Sequence, residues 1–269
     1  MNPLSFRKYI AVYTLSLQQE LYQSATFLMD RARSITIVIA FFGFWSAVFK
    51  DRTELLGYTQ TQMFTYVMGM NVLRALVFSD KTWEILREIN TGKISAYLIR
   101  PISYLGYSIS RDLADKTAQA VSSLLEITFA ALILGITFYR PPSAIYFIYA
   151  FVAVLLAIIL YFLMTYSVAA LSFWTAESMG PRFCFELFVE FAAGAFFPLD
   201  ILPPTLKRIF EIMPFASLLH FPLNVYLNRI HSEALMQGFC TQIFWILFFF
   251  ILTRWIWNKG IKIYGADGG

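Results

Sequence analysis

Charge is scarce in this chain. Only 14% of its 269 residues are Asp, Glu, Lys or Arg, against about 25% in an ordinary water-soluble domain. So few charges cannot cover a globule, which excludes a soluble enzyme, a disordered chain and a collagenous one. Histidine is scarcer still: His220 and His231 stand eleven residues apart and form no ligand pair. The two cysteines, Cys184 and Cys240, give neither a metal spacing nor a disulfide framework. No Gly-x-x-x-x-Gly-Lys-Ser/Thr occurs, since Gly92-Lys93 is followed by Ile94 and lacks the upstream glycine, so no loop here cradles ATP phosphates. Gly-x-Ser-x-Gly and Cys-x-x-Cys are missing too. The expectation is a chain with no catalytic residue, no bound cofactor and no metal. Its net charge of +4 is explained by basic residues retained on one side of a membrane, so no nucleic-acid partner is inferred.

What the chain has instead is apolar length: 58% hydrophobic residues, 18% aromatic, and a mean hydropathy of +0.62. A crossing helix needs about 20 apolar residues. Six stretches bounded by charge come near that: Ser34 to Phe49, Leu55 to Ser79, Lys116 to Arg140, Ile145 to Leu171, Phe183 to Phe197 and Ala234 to Thr253. The fold class is therefore an all-α polytopic membrane protein with six spans. With the N-terminus inside, fourteen Lys and Arg fall on the inner side and six on the outer, which puts both termini in the cytoplasm. Residues 1–33 are charged throughout and lack the apolar core of a signal peptide. Asn2 and Pro3 make a cap and first-turn pair, and Phe6, Ile10, Tyr13, Leu17, Leu21 and Leu28 recur at helical spacing. This reads as an amphipathic helix, either lying in the membrane interface or docked on a partner.

Two segments are not spans. In the inner loop, residues 80–116, Asp80 to Asn90 is expected to form a short helix with Trp83, Leu86 and Ile89 or Asn90 on one side; Gly92 ends it, and Pro101 bars Arg100 from helical geometry. On the outer side, residues 198–233 hold half of the ten prolines, Pro198, Pro203, Pro204, Pro214 and Pro222. Between Pro204 and Pro214, Leu206, Ile209, Phe210 and Met213 share one face, opposite Lys207, Arg208 and Glu211. That pattern fits a break, a short amphipathic helix and a return, as in a re-entrant lid or a compact outer loop. Within the spans, Arg74 and Glu126 lie at depths of about 9 and 15 Å from the same face, and they are expected to form an ion pair or, alternatively, a proton or ion site. Glu186 and Glu190 read as carboxylates placed at a helix N-terminus.

The stretch Gly92-Lys93-Ile94-Ser95-Ala96-Tyr97-Leu98-Ile99-Arg100-Pro101-Ile102-Ser103 resembles the cytoplasmic loop signature of bacterial ABC-2 type permeases, which are type V exporter-like. Phe196 to Pro203, with Met213-Pro214-Phe215 and Phe221-Pro222, is similar to the region before the last span of the same permeases. The resemblance covers the whole chain and implies one permease domain over residues 1–269, in a bacterial cytoplasmic membrane. It implies an exporter subunit that pairs with itself or a sister permease and binds two separate ATPases, which carry ATP and Mg. On that resemblance Trp83, Glu84, Leu86, Arg87, Glu88, Gly92, Arg100 and Pro101 would form the ATPase contact, with Trp83 and Leu86 as its apolar anchor. Pro198, Pro203, Pro204, Phe210 and Pro214 would form an outer gate. The competing reading is an ion-coupled secondary transporter using Arg74, Glu126 and Glu190.

Overall fold

The structure, a computed structural model, describes residues 3–22, 24–78, 81–230 and 232–264. Asn2, Asp80 and His231 lie outside the described residues, as do the side chains of Leu21 and Leu28. The chain is helical almost throughout: α1 Pro3–Tyr22, α2 Ser24–Val48, α3 Gln60–Val77, α4 Lys81–Asn90, α5 Ile94–Leu98, α6 Tyr104–Leu134, α7 Ala144–Ala170, α8 Met179–Ala192, α9 Pro204–Ile212, α10 His220–Tyr226 and α11 Ser232–Ile263. The only strands among the described residues are β1 Glu54–Leu55 and β2 Tyr58–Thr59, an antiparallel hairpin pairing Glu54 with Thr59 and Leu55 with Tyr58. Its two-residue turn, Leu56 and Gly57, has positive φ at both positions, as the right-handed strand twist favours.

Segments of α2, α6, α7 and α11 are long and apolar enough to cross a bilayer. α3 has 18 residues and α8 has 14, about 27 and 21 Å against a hydrocarbon core of about 30 Å. α7 matches its expected span almost residue for residue, because nothing charged interrupts it and Ser143 caps its start by accepting from the Ile145 amide. The other boundaries move. α2 begins ten residues before Ser34. The expected second span divides into the hairpin and α3, which opens with a capping box between Thr59 and Gln62. α6 starts at Tyr104, twelve residues ahead of Lys116. The charge at Lys116 does not end a span: this side chain is buried, lies 3.3 Å from Asp112, and donates to the Val77 carbonyl at the end of α3. α8 ends before Pro198, at Ala193 and Gly194, where φ is +82° and glycine carries no Cβ penalty. α11 runs on to Ile263, past Arg254.

α7 is the central post. It packs most extensively on α11, with α10 along its first half and α4 against its second. The hairpin, α9 and α10 gather at one end of the bundle; α1, α4, α5 and the end of α11 gather at the other. α1 lies along α6, joined to it by the Tyr13–Thr117 hydrogen bond and by Lys8 donating to the Pro101 carbonyl. Phe6 and Ile10 of the expected stripe remain exposed.

Candidate functional site

Three charged residues of α8, Arg182, Glu186 and Glu190, are spaced four apart and so share one helix face. Arg182 and Glu186 turn to α4, and Glu190 turns to α3. Arg182 is fully buried: one Nη donates to Thr82 Oγ1 at 2.6 Å and lies 2.7 Å from Glu186, and the guanidinium carbon sits 5.3 Å from the centre of the Trp83 ring. Trp83 in turn donates its indole N–H to both Glu186 oxygens, at 2.9 and 3.0 Å. One face of α4 is thus fastened to the start of α8. Two turns further on, Glu190 receives Arg74 of α3 in a fork, Nε at 3.1 Å and Nη2 at 2.7 and 2.9 Å from its oxygens. The Arg74 guanidinium also faces the Phe196 ring at 5.8 Å. Removing one partner from a buried pair costs about 3–5 kcal/mol, so the ladder holds α4, α8 and α3 in a fixed relation.

The expected Arg74–Glu126 pair is not formed. Glu126 is held by Arg31 of α2 at 2.9 Å and accepts from Ser34 at 2.7 Å, while Arg31 also donates to Gln119. Depth along a helix axis, on which the expectation rested, leaves the direction of the side chain open; α3 turns Arg74 toward α8, and α6 turns Glu126 toward α2. The expectation for Glu186 and Glu190 is corrected as well. They stand well past the first turn of α8, beyond the reach of the helix dipole, and are held by side chains.

The residues expected to face an ATPase divide into two groups. Leu86 is completely buried, with Ile85 and Ile89, against α7 and its following turn Leu171–Phe173. Trp83 is committed to α8, Glu84 to Lys81 and Arg111, and Glu88 to Tyr104 and Arg111. Burial raises the Glu88 carboxyl above its ordinary value against the pull of the Tyr104 and Tyr97 hydroxyls. The Trp83–Leu86 anchor is therefore turned inward, because the most apolar face of a short amphipathic helix goes to the nearest core. What faces outward is Arg87, Lys93, Leu98, Ile99, Arg100 and Pro101, with Ile99 86% exposed. Gly92 has φ +76°, ends α4 and turns the chain into α5.

At the opposite end, α9 carries the expected amphipathic pattern, with Pro204 at its first position and Phe210 buried. Pro203 precedes it, and Pro214 leads into a stretch that does not behave as a surface loop. Phe215, Leu218, Leu219, His220, Leu223, Val225 and Leu227 are core residues, and His220 is hydrogen-bonded to Asn224. Sequence reasoning missed the polar knot that closes this end. Asp200 lies 2.7 Å from Lys207, 2.6 Å from the Tyr58 hydroxyl and 3.7 Å from Arg229, whose guanidinium covers the Tyr58 ring. Burial opposes ionisation of Asp200, but the His220, Lys207 and Tyr58 groups outweigh it and hold the carboxyl below its ordinary 3.8. The spacing of Arg182, Glu186 and Glu190 was a readable signal for the ladder; the knot depends on Tyr58 meeting Asp200 and Asn224 more than 140 positions away, for which there was none.

These charged side chains pair across elements and tie helices together. No group of His, Cys, Asp and Glu suited to a metal ion occurs among the described residues. Residues 35–268 match the family model described as an ABC-2 family transporter protein. No curated protein matches the chain.

Proposed function

The chain belongs to the ABC-2 family of transporter proteins, and from that premise we propose that it is the permease subunit of an ABC exporter, driven by two separate ATPases that bind ATP and Mg. The observation that carries this reading is the two-sided build of α4 and α5. The inward face is fastened to α8 through Trp83, Thr82, Arg182 and Glu186. The outward face presents Arg87, Lys93 and Arg100 around the apolar tip Leu98–Ile99. An exposed apolar tip rimmed by cations suits a groove on a soluble partner. A push on that tip passes through α4 to α8 at Trp83 and Thr82 and, through Glu190 and Arg74, reaches α3. The apolar anchor is thus Ile99 with Leu98, while Trp83 becomes the transmission contact. α1, lying beside this end along α6, supplies a second contact surface.

On this reading the α4 end is cytoplasmic, both termini lie inside, and the chain crosses a bacterial cytoplasmic membrane six times as half of a homodimer or heterodimer. Arg31, Lys116 and Arg182 are enclosed by helices, and removing them from the count leaves eleven basic residues inside against six outside. Pro198, Pro203, Pro204, Phe210 and Pro214 then frame an outer closure held by the Asp200 knot. Against the ion-coupled alternative stands the engagement of Glu126 and Glu190, each already bound by an arginine, at 2.9 and 2.7 Å. The test is co-expression with ABC ATPases from the same genome, followed by purification through a tag on this chain. A stable complex with two ATPases per pair of permeases is expected; a chain that purifies without any ATPase and transports with an ion gradient alone would overturn the proposal.

A further inference from the structure

One cleft between α2, α3 and the segment after α8 changes character along its length. Toward the α4 end it is a cavity of about 170 Å³ whose polar wall is Arg31, Arg33, Asn71, Arg74 and Gln119, with Glu186 and Glu190 on the same wall. It narrows at Ile37, Asn71 and Arg74, which line both the cavity and the throat above it. Beyond the throat, Phe41, Trp45, Phe196 and Phe197 lead into an apolar groove of about 750 Å³ that also takes in Phe44 and Leu202. The groove opens sideways past Phe44, which is 59% exposed, on a helix apolar enough to face lipid. From Arg33 to Val48 the cleft follows α2 for fifteen residues, roughly 22 Å, enough for a headgroup and an acyl chain reaching past the middle of the bilayer.

Charge settles which head fits. Around the cavity, Arg31 is set against Glu126, Arg74 against Glu190 and Arg182 against Glu186. Arg33 adds a fourth guanidinium that no described carboxylate meets, so the described side chains leave one positive charge in surplus. A guanidinium fork matches phosphate oxygens. We infer that this cleft is a binding site for one phospholipid with a net anionic head, its phosphate at Arg33 and one acyl chain in the aromatic groove. The site requires only that the chain lies in a bilayer, so it stands or falls separately from the ATPase reading.

The test uses the full-length chain in dodecyl maltoside, with palmitoyl-oleoyl phosphatidylglycerol or phosphatidylcholine added and retained lipid counted by native mass spectrometry. One phosphatidylglycerol per chain is expected, held about fivefold more tightly than phosphatidylcholine. Arg33→Gln, at an exposed position, should bring the two lipids to parity. Ala40→Trp, which fills the groove, should weaken both while the size-exclusion profile stays unchanged. Parity in the unmodified chain, or an Arg33→Gln variant that keeps the preference, would overturn the inference. So would displacement of the lipid by inorganic phosphate, because the groove would then contribute nothing. A Phe44→Cys disulfide joining two copies, formed without loss of lipid in a Cys184→Ser, Cys240→Ser background, would assign the groove to a second copy instead.

Discussion

Glu190→Gln removes the charge that Arg74 answers and leaves the guanidinium facing the cleft. Breaking a fully buried pair from one side costs about 3–5 kcal/mol. Here the two side chains keep 25% and 18% of their surface exposed, so solvent recovers part of the loss, and about 2–3 kcal/mol is expected. For a chain of this size that lowers the unfolding midpoint by about 5–10 °C. The Phe196 ring and the retained amide soften the loss without replacing the second fork contact. The double variant Arg74→Met, Glu190→Leu should recover most of the stability, since a well-packed apolar pair often equals a buried ion pair. Thermal unfolding of the purified chain in detergent, read by size exclusion, gives the full cycle. Arg74 with Glu190 should couple by about 1 kcal/mol or more, and Arg74 with Glu126 should be additive. Additivity in the first cycle, or coupling in the second, would refute the partner assignment and the ladder with it.

Trp83→Ala loses a hydrogen bond to a carboxylate and a ring beneath Arg182, together about 2–4 kcal/mol; ATPase association should survive while ATP turnover loses its dependence on transport, and dissociation of the ATPase would count against a transmitting role. The Asp200 carboxyl lies below its ordinary value in the folded chain, so its contribution to stability is fully present above about pH 5 and is lost as pH falls through the folded value. Unfolding curves of wild type and Asp200→Asn should stay a constant distance apart above about pH 5 and converge below about pH 4; a gap that widens in acid would reverse the sign of the assignment. In a background lacking Cys184 and Cys240, single cysteines at Ser95 and Thr205 should label from opposite sides of the membrane, and labelling of both from one side of intact cells would overturn the topology.

Hydropathy made the bundle legible. Its clearest success is α7, which has no charged residue to confuse its edges. Local backbone chemistry was legible as well: Gly92 ends α4, and Pro204 opens α9. Polar residues inside the bundle were misleading. Asp112, Asp115, Lys116 and Ser108 are buried between helices, so a charge there marks a contact and not the edge of a span. The amphipathic pattern of α4 showed that one face is apolar but not what covers it; the chain's own α7 does, and the free surface passes to Ile99. Side-chain partners were the least legible, because Arg74 and Glu126 could be placed by depth while the direction each one faces depends on how whole helices pack.

Docking of an ATPase on the Leu98–Ile99 tip carries the proposed function. Ile99→Asp in the co-expressed complex tests it, with the retained ATPase and its ATP hydrolysis measured together after purification. The exposed tip makes no core contact in the free chain, so membrane insertion and thermal stability should hold. A lost apolar anchor at the centre of an interface typically costs about 2 kcal/mol, and association should weaken by about 30-fold with turnover falling in step. An Ile99→Asp complex that assembles and hydrolyses ATP like the unmodified one would contradict the account.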